Sequence, residues 1–401
     1  MDPQEPPRSR PAAVAAPKAW APSAELKEAV ANMWAATAEE EPEAEPEAEL
    51  ETETESDTPV LVCGREVDPA ATELDLSRTA AEGADALSGL PQLVALRTLD
   101  LSNSDLGDAA WAGLVAALKL CPALAHVKLS RCGLDPKRAT DLAGWVRDTA
   151  GSTVASIVLS GNMITARDED LSGLTAIGEA MALSKTLTSI DFSMCGLGSK
   201  GLTVVADVVP KMAAIAEVIL DGCPLTAPAQ CRHPHEHSDS QMDGFVAFCA
   251  VLSRLRRVSL ADCSVGSTSA IELAKALGNA DAAIEELNLG GCKLTGANPA
   301  GIGADSKMEG FVALCAVLGR VKTVNLSQCG LGPTSAAELA QAVKSGTTIE
   351  WLNVAYNHIG GDGGEALTNA LNGTSIRDIG MHRQLSVPEG WHSDIRINYT
   401  Y

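Results

Sequence analysis

The stretch Val321-Lys-Thr-Val324-Asn325-Leu326-Ser-Gln-Cys329-Gly-Leu331 runs on into Ser335-Ala-Ala-Glu-Leu-Ala-Gln-Ala-Val343, and its apolar spacing changes midway. In the first part apolar residues fall three and then two apart, the pattern of a short strand with one buried face. In the second part they fall at helical spacing, with Leu339 and Val343 on one side. One strand and one helix make a unit too small to bury either face alone.

The same apolar quartet, closed by a Cys or an Asn, recurs along the chain. It reads Leu96/Leu99/Leu101/Leu106 with Asn103, Leu124/Val127/Leu129/Leu134 with Cys132, Val154/Ile157/Leu159/Ile164 with Asn162, and Leu187/Ile190/Phe192/Leu197 with Cys195. It continues as Ile215/Val218/Leu220/Leu225 with Cys223, Leu255/Val258/Leu260/Val265 with Cys263, Ile284/Leu287/Leu289/Leu294 with Cys292, the Val321 unit, and Ile349/Leu352/Val354/Ile359 with Asn357, making nine units. Most units start 28 to 30 residues apart, enough for a full α-helix on the return leg.

Quartets of this form resemble the leucine-rich repeat, and the helical return leg is similar to that of the ribonuclease-inhibitor-like class. The resemblance implies an α/β fold, a right-handed solenoid or horseshoe with parallel strands on the concave face and helices on the convex face. It covers roughly residues 60 to 385. It also implies that stacked neighbours share one elongated core. The expected boundaries are an arm over 1–58, an N-terminal capping repeat over 59–95, repeats over 96–375 and a C-terminal cap over 376–401.

The formal net charge of the 401-residue chain is −22, and 11 acidic residues with no Lys or Arg lie between Glu39 and Asp57. Such a chain is a poor partner for nucleic acid, which needs clustered Lys and Arg. No apolar run is long enough to span a bilayer, so no membrane partner is expected. Pro6, Pro7, Pro11, Pro17 and Lys18 interrupt any apolar region that could read as a secretory leader. Residues 1–22 read as disordered. Ser23 can cap a helix carrying Leu26, Ala29, Val30, Met33 and Trp34 on one stripe, which would dock on the chain's own first repeat or in a groove of another protein.

Six of the 11 cysteines (Cys132, Cys195, Cys223, Cys263, Cys292 and Cys329) share one repeat position. Together with Cys249 and Cys315 on matching helices they read as reduced, buried thiols in a reducing compartment, which points to a cytoplasmic monomer, with a nuclear or cytoskeletal association open. No phosphate-cradling loop, nucleophile elbow or helical zinc motif is present, so neither an enzyme nor a cofactor is expected.

Three units are longer, at 33, 40 and 37 residues, and their additions follow Ile164-Thr165, Leu225-Thr226 and Leu294-Thr295. Met242-Asp-Gly-Phe-Val-Ala-Phe-Cys recurs 66 residues later as Met308-Glu-Gly-Phe-Val-Ala-Leu-Cys, the mark of growth by paired duplication. Insertions at one phase should lie together on one rim and offer a partner surface. The middle one carries Cys231, His233, His235 and His237, a density of soft and borderline ligands that could take zinc or copper. The first places Arg167 on a loop, loosely similar to activators of the Ran GTPase.

Period-2 reading of the strands gives the exposed face. It bears mostly small polar groups, with Trp351 the sole aromatic and Arg257, Glu217, Glu286, His126 and Lys128 the prominent charges. Trp and Arg are the residue types that anchor protein interfaces. The sequence therefore points to a non-catalytic protein-interaction module, a scaffold or adaptor using the concave face, the rim loops and Trp34. A regulator of a small GTPase and a metal-responsive binder are the alternatives.

Overall fold

The computed structural model describes residues 59–148, 153–231, 233–297, 303–371, 374, 376 and 378–380. The helix around Trp34, the acidic arm and the chain beyond Gly380 lie outside the described residues. The described chain is one continuous stack of strand-and-helix units.

Eleven three-residue strands form a single sheet in which sequence neighbours are spatial neighbours, from Glu73–Asp75 at one edge to Asp378–Gly380 at the other. Every adjacent pair is parallel and in register, for example Val218 beside Val258 and Leu287 beside Val324. The central residue of each repeat strand is buried and its two flanking residues look outward, as in Thr98-Leu99-Asp100 and Glu217-Val218-Ile219. Helices cover the other face of the sheet. The Ser267–Gly278 helix buries Leu273, Ala274 and Leu277, and the Pro333–Lys344 helix buries Leu339, Ala340 and Val343. Before the first repeat, Val60–Val62 and Arg65–Val67 form a small antiparallel hairpin.

The shared cysteine position proves to be a hydrogen-bond column between repeats. Each thiol donates to the carbonyl of the preceding repeat's third apolar residue: Cys132 to Leu101 (3.0 Å), Cys195 to Leu159 (3.1 Å), Cys263 to Leu220 (3.0 Å) and Cys329 to Leu289 (3.1 Å). Asn162 and Asn357 do more. The amide of Asn162 donates to Leu129 and Leu159, while its Oδ1 accepts from the amides of Cys132 and Leu134.

In the first repeat the group in this column is Ser104, not Asn103. Ser104 Oγ donates to the Leu76 carbonyl at 3.0 Å, whereas Asn103 sits one residue earlier with φ 59°. Asn103 occupies the turn position that Gly161, Gly222 and Gly291 fill elsewhere with φ of 72°, 68° and 76°. Asn tolerates the left-handed region better than most residues, but Arg131, Met194, Asp262, Gln328 and Tyr356 hold the same position with φ of 53–57°, so the turn does not select Asn alone.

Helices pack in alternately close and open pairs. In the close pairs a glycine in the first turn of one helix lies on the first turn of the helix before it: Gly173 on Pro136 and Ala139, Gly244 on Ser199, Gly310 on Ser267, Gly363 on Ala336. The amides of Gly244 and Gly310 also donate to Ser199 Oγ (2.9 Å) and Ser267 Oγ (3.0 Å).

The three insertions fill open gaps between pairs. Each begins with a fully buried threonine, Thr165, Thr226 or Thr295, whose hydroxyl donates to a turn carbonyl of the next repeat. Each delivers one aspartate to the helix of the following repeat, whose own N-cap is a glycine. Asp168 accepts from the amides of Gly198, Lys200 and Gly201, Asp239 from those of Gly266, Thr268 and Ser269, and Asp305 from those of Gly332 and Thr334. The described parts of the insertions are therefore wedges between helices.

Two glycine substitutions should behave oppositely. A Cβ on Gly310 would fall on the Ser267 carbonyl, so Gly310→Ala should lower stability by about 1–3 kcal/mol. Gly144 lies in the Pro136–Asp148 helix with open space where its Cβ would be, so Gly144→Ala should raise stability by about 0.5–1 kcal/mol. Urea midpoints of the two variants against the parent chain check both signs.

The aspartate wedges give a second expectation. Asp239→Ala should cost about 1–2 kcal/mol, because it strips the N-terminus of the Ser267–Gly278 helix of a partner its glycine N-cap cannot replace. Amide exchange at Gly266, Thr268 and Ser269, faster in the variant than at the equivalent amides of the Pro333–Lys344 helix, would locate the loss.

Candidate functional site

The outward residues of the strands make one continuous polar face, and a register fixed by the ladder sets their neighbours. Glu217, Arg257, Glu286, Thr323 and Trp351 lie side by side on five successive strands. Together with Asp221, Ser259, Asn288 and Asn325 they line a recess of about 310 Å³. Four residues singled out from sequence thus meet in one place. His126 and Lys128 lie on the same face but three strands away from Glu217, beyond Ser156 and Ser189.

Within the recess Arg257 sits between two carboxylates, 3.8 Å from Glu217 and 3.9 Å from Glu286. Its side chain is half exposed, so such pairs contribute at most about 1 kcal/mol and are weakened by salt. Glu217 also accepts a hydrogen bond from Ser189 at 2.7 Å. Lys128 is 3.5 Å from Asp100, a comparable pair open to water on the lysine side.

One row further along the strands, polar side chains are linked across the repeats. Asn325 donates to Asn288 (2.8 Å), Asn288 to Ser259 (2.8 Å) and Ser259 to Asp221. Burial pushes the Asp221 carboxyl up despite the hydrogen bonds from Ser259 and from the Ala261 amide, which act against it. The row is partly structural. Asp75, Asp100, Asp191, Asn288, Asn325 and Asn353 each accept from the backbone amide two residues on, ending the strand with a local turn. The Asp-x-Ser and Asn-x-Ser recurrence in the sequence is the signal of this role.

The histidine-rich insertion does not gather its ligands. His235 turns inward, with Nδ1 enclosed and making no hydrogen bond, and burial, with Lys293 nearby, pushes its pKa down, while Asp262 opposes the shift. His233 and His237 are exposed and Cys231 is half-buried. Among the described residues no three His, Cys, Asp or Glu side chains are grouped so as to hold a metal ion. Alternating ligands on one short turn point to different sides, and that is why density along the chain fails to become convergence in space.

Arg167 is exposed on a turn in which Ala166, Arg167 and Asp168 all have positive φ. Its carbonyl accepts from Gln230 Nε2 at 2.7 Å, tying the first insertion to the second. Trp34 lies outside the described residues.

A leucine-rich-repeat family model matches residues 183–206 and 347–367. Porcine (Sus scrofa) ribonuclease inhibitor is 22% identical, over 68% of this chain and 66% of its own length. The bovine (Bos taurus) NACHT, LRR and PYD domains-containing protein 5 is 24% identical, over 62% of this chain and 21% of its own length. The chain thus spans less than two thirds of either relative. These matches and the fold support a leucine-rich-repeat chain that is similar to ribonuclease inhibitor. An internalin from Listeria monocytogenes aligns over 83% of this chain and 86% of its own, at 11% identity and a TM-score of 0.37. Among the described residues no helix is long and apolar enough to cross a membrane.

In this leucine-rich-repeat stack the thiols are poor nucleophiles. Burial pushes Cys132 and Cys223 up to about 11 and Cys292 up to about 12, from an ordinary value of 9.0. The unfolded chain therefore loses its thiol protons first as the pH rises. The stability gained by burying neutral thiols is complete below pH 9 and is lost as the pH climbs from about 9 towards about 11–12. Urea midpoints followed from about pH 8 to about pH 11 should fall, and the fall should be shallower in Cys223→Ala.

Proposed function

We propose that the chain is a non-catalytic protein-binding module that recognises its partner with the open face of the sheet, centred on Glu217, Arg257, Glu286 and Trp351. The observation that carries this reading is the recess itself. It brings together the strongest interface-forming residues of the face, and they are residues the fold does not need. Backbone satisfaction comes from the Cys, Asn and Asp columns, and the core comes from the inward residues. The half-exposed charges of Arg257 and Glu286 and their long pairs with each other and with Glu217 contribute little to stability, so their concentration on three adjacent strands calls for another explanation.

The flanking small polar residues favour a partner that lies flat across several strands rather than one that buries a single side chain. A scaffold or adaptor role follows from this, because an extended face of many weak contacts suits assembly better than chemistry. Porcine ribonuclease inhibitor carries its own binding role in its name, and the shared architecture makes protein binding the natural reading here.

The test uses the full chain as bait in extract from its native cells, beside Trp351→Ala and Arg257→Glu. Arg257→Glu should keep its unfolding free energy within about 0.5 kcal/mol of the parent, as exposed substitutions do, while the half-buried Trp351→Ala should still unfold cooperatively in urea. A protein retained by the parent and reduced at least about tenfold by either variant supports the sheet face. Retention equal in all three would move recognition off this face.

A further inference from the structure

Among the described helices, the alternation of close and open pairs leaves one gap between pairs without an insertion. The long units are always the second member of a close pair: the 172–181 helix follows 136–148, the 243–249 helix follows 199–208, and the 309–318 helix follows 267–278. Each then carries an insertion that fills the open gap to the next pair. The Asp108–Leu118 helix is a second member too, since its Gly113 lies on Ala84 of the short helical turn at Ala84–Leu87. Yet its repeat has no insertion. That helix starts two residues after Leu106, where its siblings start at Ser172, Asp243 and Glu309 after Ile164, Leu225 and Leu294.

What remains is a cleft of about 470 Å³ between Asn103–Asp108 and the turn and helix start at Arg131–Gly133 and Arg138. In the three filled gaps the corresponding space holds an aspartate carboxylate. Here its lining residues include two arginines, Arg131 and Arg138. The helix end itself is already served, because Asp135 Oδ1 accepts from the Arg138 amide. The acids of the cleft are Asp105 and Asp108. Arg138 is held by Asp108 at 2.9 Å and lies 5.7 Å from the centre of the Trp111 ring, while the Asp108 side chain is 96% exposed. Arg131 is exposed, with its stem over Gly161. An incoming carboxylate could therefore meet Arg131 directly and replace the outward Asp108 at Arg138.

We propose that this cleft binds an acidic peptide segment of a partner protein, seated between repeats as the chain's own insertions are seated in the equivalent gaps. The site is separate from the sheet face and does not depend on that face being used. Arginine suits the role because its fork meets a carboxylate with two parallel bonds.

The probe is a labelled peptide copying Ile164–Leu171 of the first insertion, titrated against the full chain by fluorescence anisotropy. Its control is the same peptide with Asp168→Asn, Glu169→Gln and Asp170→Asn. The expected result is saturable binding of the acidic peptide at or below about millimolar concentration. Binding should weaken about tenfold with the amide peptide and about tenfold in Arg131→Glu, and be unchanged in Arg257→Glu. Arg131→Gln, which removes the charge without reversing it, should weaken binding by a smaller factor and guards against misfolding of the reversal variant. No saturable binding, binding indifferent to both Arg131 substitutions, or equal binding of the amide peptide would overturn the proposal.

Discussion

A repeat of this chain cannot satisfy its own backbone. Where each strand turns toward its helix, the carbonyl of the third apolar residue points into the stack and takes a hydrogen bond from the next repeat, in addition, at Leu101 and Leu159, to one from its own turn. The thiol of Cys132 reaches Leu101, that of Cys195 reaches Leu159, and that of Cys292 reaches Leu260. A carbonyl has two lone pairs, and a bond to the second contributes about 0.5–1.5 kcal/mol that only the stack makes available. Stacking is thus favoured by hydrogen bonding as well as by apolar burial. The same constraint sets the residue type, since the site admits a small donor and excludes a charge.

Superimposed on this single-repeat constraint is a period of two. First-turn glycines draw alternate helices together, and the insertions hold the intervening ones apart. The two devices are matched in sequence. Gly198, Gly266 and Gly332 are N-caps without a side chain, and each faces Asp168, Asp239 or Asp305, with no room for a Cβ beside the carboxylate. Where no insertion arrives, as at the Pro136–Asp148 helix, Asp135 stands next to the helix start and supplies the acceptor itself. Loss of the local cap and gain of the distant one go together, which makes the insertions structural parts of the stack.

This matching shows what was legible in the sequence. Strand and helix phase, the cysteine column and the paired duplication could all be read, because each repeats at a fixed distance and depends on residue type alone. Asn103 misled because it resembles the polar residue sought and stands one place from Ser104, and only the backbone angle separates their roles. The aspartate wedges were invisible for another reason. Asp168 and Gly198 are 30 positions apart with nothing local to connect them, and the clue was a negative one, a helix start lacking its own cap. In the histidine-rich turn, spacing along the chain suggested convergence, while the fold turned His235 inward and left His233 and His237 outside.

The division of labour among surfaces follows from these facts. Inward residues, the thiol and amide column and the aspartate wedges account for the stack, and they consume most of the side chains able to make directed bonds. On the sheet face the row from Asp221 to Asn325 is likewise drawn into strand-ending turns and cross-repeat links. The row beside it is not, and there the pairs formed by Arg257 are long and open to water. Recognition by this protein is therefore best sought in the row of Glu217, Arg257, Glu286 and Trp351, where the side chains are positioned by the ladder but not spent on it.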